Sequence, residues 1–254
     1  MPAATVLALE DVTHRYAGGV LALDRVSLGL QPGEFVALVG PSGCGKSTVL
    51  SLLAGLTAPA SGRVISAVCA PGELGMVFQD PTLMPWASVV ANIALPLQLM
   101  HRASDEIASR VAEAVRQVGL DGFEESLPAE LSGGMRMRVA IARALVTQPR
   151  LLLMDEPFAA LDELTRERMN EQLLALWRRL GITCLFVTHS LYEAVFLATR
   201  VLVMAPRPGR VIAEVEVPAP YPRGDAWRED SAFAALRGEL AARLRHAAGP
   251  EQAP

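Results

Sequence analysis

The stretch that decides the fold is Gly40-Pro41-Ser42-Gly43-Cys44-Gly45-Lys46-Ser47-Thr48, which follows the apolar run Phe35–Val39 and precedes another apolar segment. This order predicts a strand, a glycine-rich loop and a helix. Glycines let such a loop turn so that successive backbone N–H groups point inward, and the helix start adds its positive dipole end. Lys46 would then reach the β- and γ-phosphates of a nucleotide, and the Ser47 hydroxyl would bind Mg²⁺. The alternative is a glycine-rich turn that binds nothing, and the flanking strand and helix argue against it.

Length and composition limit the class of protein. A chain of 254 residues can bury a substantial core and fits one large domain, with or without an inserted subdomain. No apolar run approaches the roughly 20 residues of a membrane span, and the first residues do not resemble a signal peptide. The net charge of −4 argues against a nucleic-acid partner. Widely spaced Cys44, Cys69 and Cys184 fit a reducing compartment, so we expect a soluble, cytosolic protein.

Acidic and amide side chains are predicted at the ends of two further strands. The apolar strand 151–154 ends on Asp155 and Glu156, which could instead only cap a loop. Beside a phosphate loop, Asp155 can hold the Mg²⁺ that Ser47 contacts, and Glu156 can polarise a water for attack on the γ-phosphate. Gln79 follows the strand 75–78 and is placed to reach a metal or a water, although such a residue is more often part of an ordinary loop.

A histidine and a tyrosine complete the candidate site. His189 ends the apolar strand 183–187, and we expect it on the same sheet edge as Gly40, where a γ-phosphate contact is favoured over a structural role. Tyr16 lies on a turn ahead of the loop, where it could stack on a nucleobase or merely cover the core. His14 is predicted to be a surface strand residue.

Leu131-Ser132-Gly133-Gly134-Met135 opens a long basic helix and forms a second candidate anion site. A serine hydroxyl, free N–H groups and the helix dipole would all face outward there. One nucleotide does not need two such sites from one chain. We therefore expect each phosphate loop to face Ser132, Gly133 and Gly134 of a second copy.

The predicted fold is α/β: a P-loop NTPase core with a mixed sheet of central parallel strands, an antiparallel β subdomain and an inserted α-helical subdomain. The ATPase domain is predicted at 1–217, with the helical insertion at about 84–147 and a short tail with a helix at 218–254. Within the insertion, Trp86 is interpreted either as ordinary packing or as part of an interaction surface beside Gln79. Phe233, Leu236, Leu240 and Leu244 predict one apolar face of the tail helix.

Together these motifs resemble, over nearly the whole chain, the nucleotide-binding subunit of an ATP-binding cassette (ABC) transporter. The specific mark is Leu131-Ser132-Gly133-Gly134 between Gln79 and Asp155-Glu156. The resemblance implies ATP and Mg²⁺ as ligands. Toward the nucleotide, it implies that Tyr16 stacks on adenine, that Gly40 to Thr48 bind phosphates and that His189 binds the γ-phosphate. It further implies that Asp155 binds Mg²⁺, Gln79 links Mg²⁺ to the helical subdomain and Glu156 is the catalytic base, while Ser132 to Gly134 are the signature and Asp162 lies in a dimer-contact loop. Met135 and Ser190 stand where the family usually has Gln and Asp, which removes no reacting group.

The resemblance also implies partners and a location. The family works as a head-to-tail homodimer that drives integral-membrane permease subunits, which dock near Gln79 and Pro85-Trp86. Residues 78–80 with 83–86, the stretch 131–135, and 193–198 followed by 207–210 look most like the nitrate, sulfonate and taurine importer branch. This branch includes importers of pyrimidine-type vitamin precursors and uses a separate solute-binding protein. We therefore expect a cytoplasmic protein, peripheral on the inner face of the cell membrane. The alternatives are a soluble ABC ATPase in repair, translation or cofactor assembly, and a P-loop kinase, which would leave Ser132 to Gly134 without a role.

Overall fold

The computed structural model describes residues 5–248. The strands within this range are β1 (Leu7–Arg15), β2 (Leu21–Leu30), β3 (Phe35–Val39), β4 (Ser61–Ser66), β5 (Leu74–Val77), β6 (Leu151–Asp155), β7 (Thr183–Thr188), β8 (Arg200–Ala205) and β9 (Arg210–Glu216). The helices are α1 (Lys46–Leu53), α2 (Val89–Leu99), α3 (Ser104–Gln117), α4 (Gly133–Leu145), α5 (Glu163–Leu180), α6 (Leu191–Leu197), α7 (Asp225–Arg228) and α8 (Ser231–Ala248). The chain divides into two compact units: residues 5–67 and 183–248 belong to the first, and Val68–Ile182 form the second.

The first unit contains the predicted antiparallel sheet. Strand β1 pairs antiparallel with β2 on one side and with β4 on the other. Side chains such as Leu7, Leu9 and Val12 are buried, whereas β4 is largely exposed. This alternation between a packed face and a wet face is what an antiparallel sheet on a core produces.

Parallel strands form the core of the first unit. Strand β3 lies between β7 and β8, parallel to both, and β9 adds an antiparallel edge. All five residues of β3 and all six of β7 are buried, as expected for parallel strands covered on both faces. In this register Val39 is paired with Thr188, so the two strands end side by side.

The second unit combines two parallel strands with helices. Strands β5 and β6 pair in parallel, with Val77 beside Met154. Helix α4 packs against β5, where a Cβ on Gly75 would lie 2.6 Å from the carbonyl oxygen of Ala144. Only glycine allows this close approach of helix to strand. The predicted helical insertion at about 84–147 lies inside this unit, which also contains β5, β6 and α5.

The tail belongs to the first unit. Helix α8 is 18 residues long and packs against α6 and β8, with Phe233 and Leu240 almost completely buried. The apolar face predicted for this helix is therefore the face that meets the core. Residues 249–254 of the predicted tail lie outside the described residues.

The expectation that His14 lies on the surface is wrong. Its side chain is only 6% exposed, and the Nδ1 atom lies 3.2 Å from the carbonyl oxygen of Ala58. The ring also packs edge-on against Tyr16, with ring centroids 5.1 Å apart. The alternation of β1 did not reveal this, because a turn far along the chain covers the residue.

Candidate nucleotide-binding and catalytic site

The glycine-rich loop connects β3 to α1 in the first unit, as the sequence predicts. Gly43 and Gly45 have φ angles of 75° and 97°, which favour glycine. Gly40 is needed for space, because an added Cβ would lie 2.6 Å from Cys44 Sγ and 2.9 Å from the carbonyl oxygen of Met204. Cys44 is fully buried, so its side chain packs beneath the loop and does not face a ligand.

The start of α1 suits an anion. Gly45 caps the helix without a side-chain hydrogen bond, and the first turn contains no acidic residue. The Lys46 ammonium lies against the loop itself, 2.9 Å from the Gly40 carbonyl oxygen and 3.3 Å from that of Pro41. Ser47 is exposed on the first turn. Backbone donors, a dipole and an ammonium are the donor set that binds phosphate.

Tyr16 lies beside the same helix. Its hydroxyl is 2.7 Å from Thr48 Oγ1, while 52% of the residue remains exposed. Thr48 is itself buried, and its hydroxyl holds the Tyr16 side chain in place through this hydrogen bond. An aromatic ring that is held at its hydroxyl and open on a face is suited to stacking.

His189 follows β7 at the edge where Gly40 follows β3. The pairing of Val39 with Thr188 places these two residues at neighbouring strand ends, as predicted. His189 is exposed, whereas Thr188 before it is buried. Within the first unit, the histidine and the phosphate loop therefore share one edge of the parallel strands.

In the second unit, Gln79 and the acidic pair also follow neighbouring parallel strands. The pairing of Val77 with Met154 places Asp155 directly at this edge and Gln79 two residues beyond it. Gln79 is exposed, and both acidic side chains are partly exposed. Glu156 has a φ of 44°, an uncommon conformation for a residue other than glycine. Such backbone outliers are concentrated at functional sites.

Arg143, in the last turn of α4, holds the loop that follows Gln79, and sequence reasoning missed it. Its Nη2 atom donates to the carbonyl oxygen of Pro81 at 2.8 Å and to Thr82 Oγ1 at 3.1 Å, and Nη1 donates to the Thr82 carbonyl oxygen at 3.0 Å. Burial lowers the pKa of this guanidinium below its usual value. The only sequence signal was a basic residue in an otherwise apolar last turn.

Ser132 is the N-cap of α4. Its hydroxyl oxygen accepts from the backbone N–H of Met135 at 3.2 Å, which leaves the hydroxyl hydrogen available to a ligand. Arg136 donates to the Leu131 carbonyl oxygen at 2.7 Å and so fixes the approach to the helix. Gly133 is exposed, whereas a Cβ on Gly134 would lie 2.8 Å from Thr165 Cγ2.

Asp162 has a local structural task. It is the N-cap of α5, and its Oδ1 atom accepts from the backbone N–H of Thr165 at 3.0 Å. This hydrogen bond lowers the pKa of the Asp162 carboxyl. The side chain is exposed, so the same residue remains accessible to another molecule.

The residues also fit Mg²⁺ bound together with a nucleotide. Among residues 5–248, no group of three or more His, Cys, Asp or Glu side chains could hold a metal by itself. Mg²⁺ does not require such a cage, because it is commonly held by one or two side chains together with phosphates and waters. Oxygen donors of this kind are present at Ser47, Gln79 and Asp155. Within the same described range, no helix combines the length and apolar character needed to cross a bilayer.

These strand-end motifs define a P-loop nucleotide-binding protein, and comparison with known proteins gives the family. Residues 23–159 match the family described as ABC transporter. The chain is 48% identical over 239 residues to the taurine import ATP-binding protein TauB of Rhizobium johnstonii, covering 91% of each protein. It is 46% identical over 231 residues to the TauB protein of Burkholderia pseudomallei strain 1710b, covering 87% of this chain and 89% of that protein. The chain belongs to the ABC transporter family, and it is an ATPase of that family.

Solved structures agree with the fold. The CbiO1 protein of Clostridium perfringens, described as part of the ABC transporter complex CbiONQ, has a TM-score of 0.78 and 28% identity, covering 95% of this chain and 98% of that one. The ATP-binding cassette MJ0796, in a dimeric post-hydrolysis structure with ADP and Pi, has a TM-score of 0.74 and 32% identity, covering 84% and 100%. The predicted α/β fold class is thereby confirmed.

Proposed function

We propose that the chain is the ATP-hydrolysing subunit of a membrane importer. The observation that carries this is the pairing of strand ends within each unit. Gly40 and His189 follow paired residues of β3 and β7, while Asp155 and the Gln79 loop follow paired residues of β5 and β6. In sheets of parallel strands, ligands bind at the carboxyl ends of the strands.

Each residue then has a defined task toward the nucleotide. The loop N–H groups and the start of α1 bind the phosphates, and Lys46 shifts its ammonium from the loop carbonyl oxygens to the β- and γ-phosphates. Tyr16 stacks on adenine. Glu156 accepts a proton from the attacking water, and His189 donates a hydrogen bond to the γ-phosphate.

Ser47, Gln79 and Asp155 are the side chains that would hold Mg²⁺. The ion, when bound, neutralises charge on the phosphate oxygens. Gln79 stands on a loop that Arg143 ties to α4, so its position depends on the helix that also carries Ser132. This link is the physical basis for joining the metal site to the signature.

A second copy supplies the other half of each site. Ser132, with its remaining hydroxyl hydrogen, and the exposed Gly133 N–H face the phosphate loop of the partner in a head-to-tail dimer. Asp162 lies at the same interface. The dimeric structures of MJ0796 support this arrangement. Closure on ATP and reopening after hydrolysis would drive the permease.

Two further observations support a permease partner and a class of cargo. Trp86 is 77% exposed on a loop whose backbone is held by buried Asn92, so it is a rigid apolar contact for a partner. Relatives named as taurine importers support a small sulfonate as cargo, delivered by a separate solute-binding protein. The subunit would then act at the inner face of the cell membrane.

Nucleotide binding can be tested at one atom, because Lys46 is the only lysine in the sequence. Because the Lys46 side chain is only 6% exposed, an amine-reactive reagent is applied long enough to label it in the protein without nucleotide, and mass spectrometry measures the extent. ATP should protect Lys46, and AMP, which lacks the β- and γ-phosphates, should not. Equal labelling with both nucleotides would contradict the proposed role of the loop.

The importer assignment needs the native membrane. The tagged protein, extracted in mild detergent, should copurify with a multi-span permease, and Trp86→Ala should weaken that association while leaving ATP binding intact. Ile212→Ala is the control, because Ile212 is an exposed apolar residue on a different element, β9, and this variant should still copurify with the permease. Recovery of only soluble partners would instead indicate a soluble ABC ATPase. The cargo needs a second experiment: a ligand-binding screen of the accompanying solute-binding protein would distinguish sulfonates from nitrate and pyrimidine-type compounds.

A further inference from the structure

The C-terminal end of α6 is capped by side chains from the tail. The last helical hydrogen bond runs from the Ala198 N–H to the Ala194 carbonyl oxygen, which leaves the next four carbonyl oxygens without helical partners. The tail supplies donors to all four. Arg223 Nη1 donates to the carbonyl oxygens of Phe196 at 2.9 Å, Ala198 at 2.8 Å and Val195 at 3.3 Å. The Tyr221 hydroxyl donates to the Leu197 carbonyl oxygen at 3.1 Å, and Trp227 Nε1 donates to that of Val195 at 3.4 Å.

Arg223 is a buried cation held by backbone carbonyls. It is 5% exposed, and its Nη2 atom donates to the carbonyl oxygens of Val217 and Ala219, each at 3.2 Å. Its guanidinium carbon lies 4.2 Å from the ring centroid of Tyr221. Among residues 5–248, no acidic side chain forms an ion pair with it. The carbonyl dipoles and the negative end of α6 therefore offset the cost of burying the charge.

The other end of α6 fixes the turn that carries His189. The Thr188 hydroxyl donates to the carboxylate of Glu193, and its oxygen accepts from the Ser190 N–H at 2.9 Å. The Ser190 hydroxyl oxygen in turn accepts from the Glu193 N–H at 3.3 Å. Glu193 is only 4% exposed. His189 thus stands between two residues that are both tied to the first turn of α6.

Helix α6 is short enough to transmit a displacement. Seven residues span about 10 Å, and Leu191–Leu197 contains no glycine or proline at which a helix would bend. Its faces are packed, because Tyr192 and Phe196 stack on one another and Phe233 of α8 packs edge-on against Tyr192. A shift at the end that Arg223 holds is therefore carried to the end that holds His189.

We infer that residues 218–228 of the tail act, through Arg223, as a positioning element for His189. The clasp of Arg223, Tyr221 and Trp227 holds one end of α6, and α6 holds the histidine turn at its other end. The inference rests on the proposed function, in which His189 contacts the γ-phosphate. It gives the tail a task in ATP hydrolysis without direct contact to the nucleotide.

The first test compares Arg223→Gln and Arg223→Lys in the full-length protein. Gln should lower kcat by about tenfold or more, because small misplacements of reacting groups are costly, while the KM for ATP stays within about twofold. Lys keeps a cation at the helix end and should restore part of the rate. Arg243→Gln is the matched control, because Arg243 lies on the exposed side of α8 and pairs with Glu239.

A double-mutant cycle with His189→Ala separates positioning from general destabilisation. If Arg223 acts through His189, then Arg223→Gln lowers kcat in the wild-type background but leaves the rate of His189→Ala unchanged. If the double variant instead loses kcat by the product of the two single losses, the inference is overturned. If Arg223→Gln does not fold, Tyr221→Phe enters the same cycle, because it keeps the ring and removes the hydroxyl that donates to the Leu197 carbonyl oxygen. A wild-type protein without ATPase activity would refute the proposed function instead, so the two failures are distinguishable.

Discussion

Replacing Gly209 with alanine tests whether the phosphate loop depends on a turn more than 160 residues away in the chain. Gly209 lies between β8 and β9, where its N–H donates to the Ala22 carbonyl oxygen at 2.9 Å and its carbonyl accepts from the Asp24 N–H at 3.0 Å. An added Cβ would lie 2.2 Å from the carbonyl oxygen of Cys44 and 2.9 Å from that of Ala22. Both neighbours are backbone atoms, so no side chain can rotate to relieve the overlap.

The size of the effect follows from this distance. Ordinary van der Waals contact begins at 3.4 Å, so the Cys44 carbonyl must retreat by about 1.2 Å. Cys44 is fully buried beneath Gly40, and the displacement therefore spreads into the loop. A shift of about 1 Å can cost about 100-fold in rate, and overpacking costs about 1–3 kcal/mol of stability. We expect Gly209→Ala to lose turnover by that order and to unfold at a lower temperature.

Steady-state ATPase measurements, nucleotide affinity and thermal unfolding followed by circular dichroism check this expectation. Gly238→Ala on α8 is the control, because an added Cβ there meets no atom within 4 Å. It should leave turnover unchanged and raise the melting temperature slightly, since alanine favours the helix. Wild-type turnover and melting temperature in Gly209→Ala would refute the argument, because the loop would then tolerate the added atom.

Four further predictions address other parts of the chain. Glu156→Gln should retain ATP affinity but lower turnover by at least about 100-fold, and near-normal hydrolysis would remove Glu156 from its role as base. Arg143→Met should lower kcat with little change in ATP affinity, because the backbone oxygens of the Gln79 loop lose their donors; equal kinetics would show that the loop holds without it. Leu153→Ala should lower the free energy of unfolding by about 2–5 kcal/mol in urea denaturation, because the residue is fully buried in β6, whereas exposed Leu164→Ala should be nearly neutral. Hydrogen bonds from the backbone N–H groups of Ala70 and Cys69 lower the pKa of Glu73 in the folded protein. The Glu73 carboxylate therefore contributes its full stabilisation above the unfolded-state pKa of 4.5, and this contribution is lost as the pH falls through the lower folded-state pKa. When the free energy of unfolding is measured against pH, Glu73→Gln should show a smaller loss of stability in acid.

The strand ends were predictable from the sequence because their signal is local. A buried parallel strand is a continuous apolar run, and the residue that ends it is a glycine or a polar group. The positions of Gly40 and His189 at one edge, and of Asp155 and Gln79 at another paired edge, follow directly from such runs. Ser132 was predicted as a helix start for the same reason, and it is the N-cap of α4.

The supports of the site were not predictable, because they join residues that are distant in the chain. No local pattern distinguishes Gly209, although its lack of a side chain allows the phosphate loop to lie against it. No local pattern indicates the contacts of Arg143 or Arg223, yet each donates hydrogen bonds to carbonyl oxygens of another segment. Thr48 looked like a phosphate ligand, and only the folded chain brings the Tyr16 hydroxyl to it. Periodicity reports which face of an element is buried but not which backbone that face meets.

The two kinds of basic side chain are divided between two tasks, and acceptor geometry explains the division. Lys46 is the only lysine, so 22 of the 23 basic residues are arginine. Arg223 reaches carbonyl oxygens of five residues and Arg143 binds three acceptors in one loop, which a planar fork with five N–H donors can do and a single ammonium on a flexible stem cannot. In the proposed function the requirement at Lys46 is reversed, because its compact charge would leave the carbonyl oxygens of Gly40 and Pro41 for a phosphate, and a fork fixed by many hydrogen bonds would resist that movement. Arginine therefore suits the segments that must stay in place, and lysine suits the one position whose side chain must change partners.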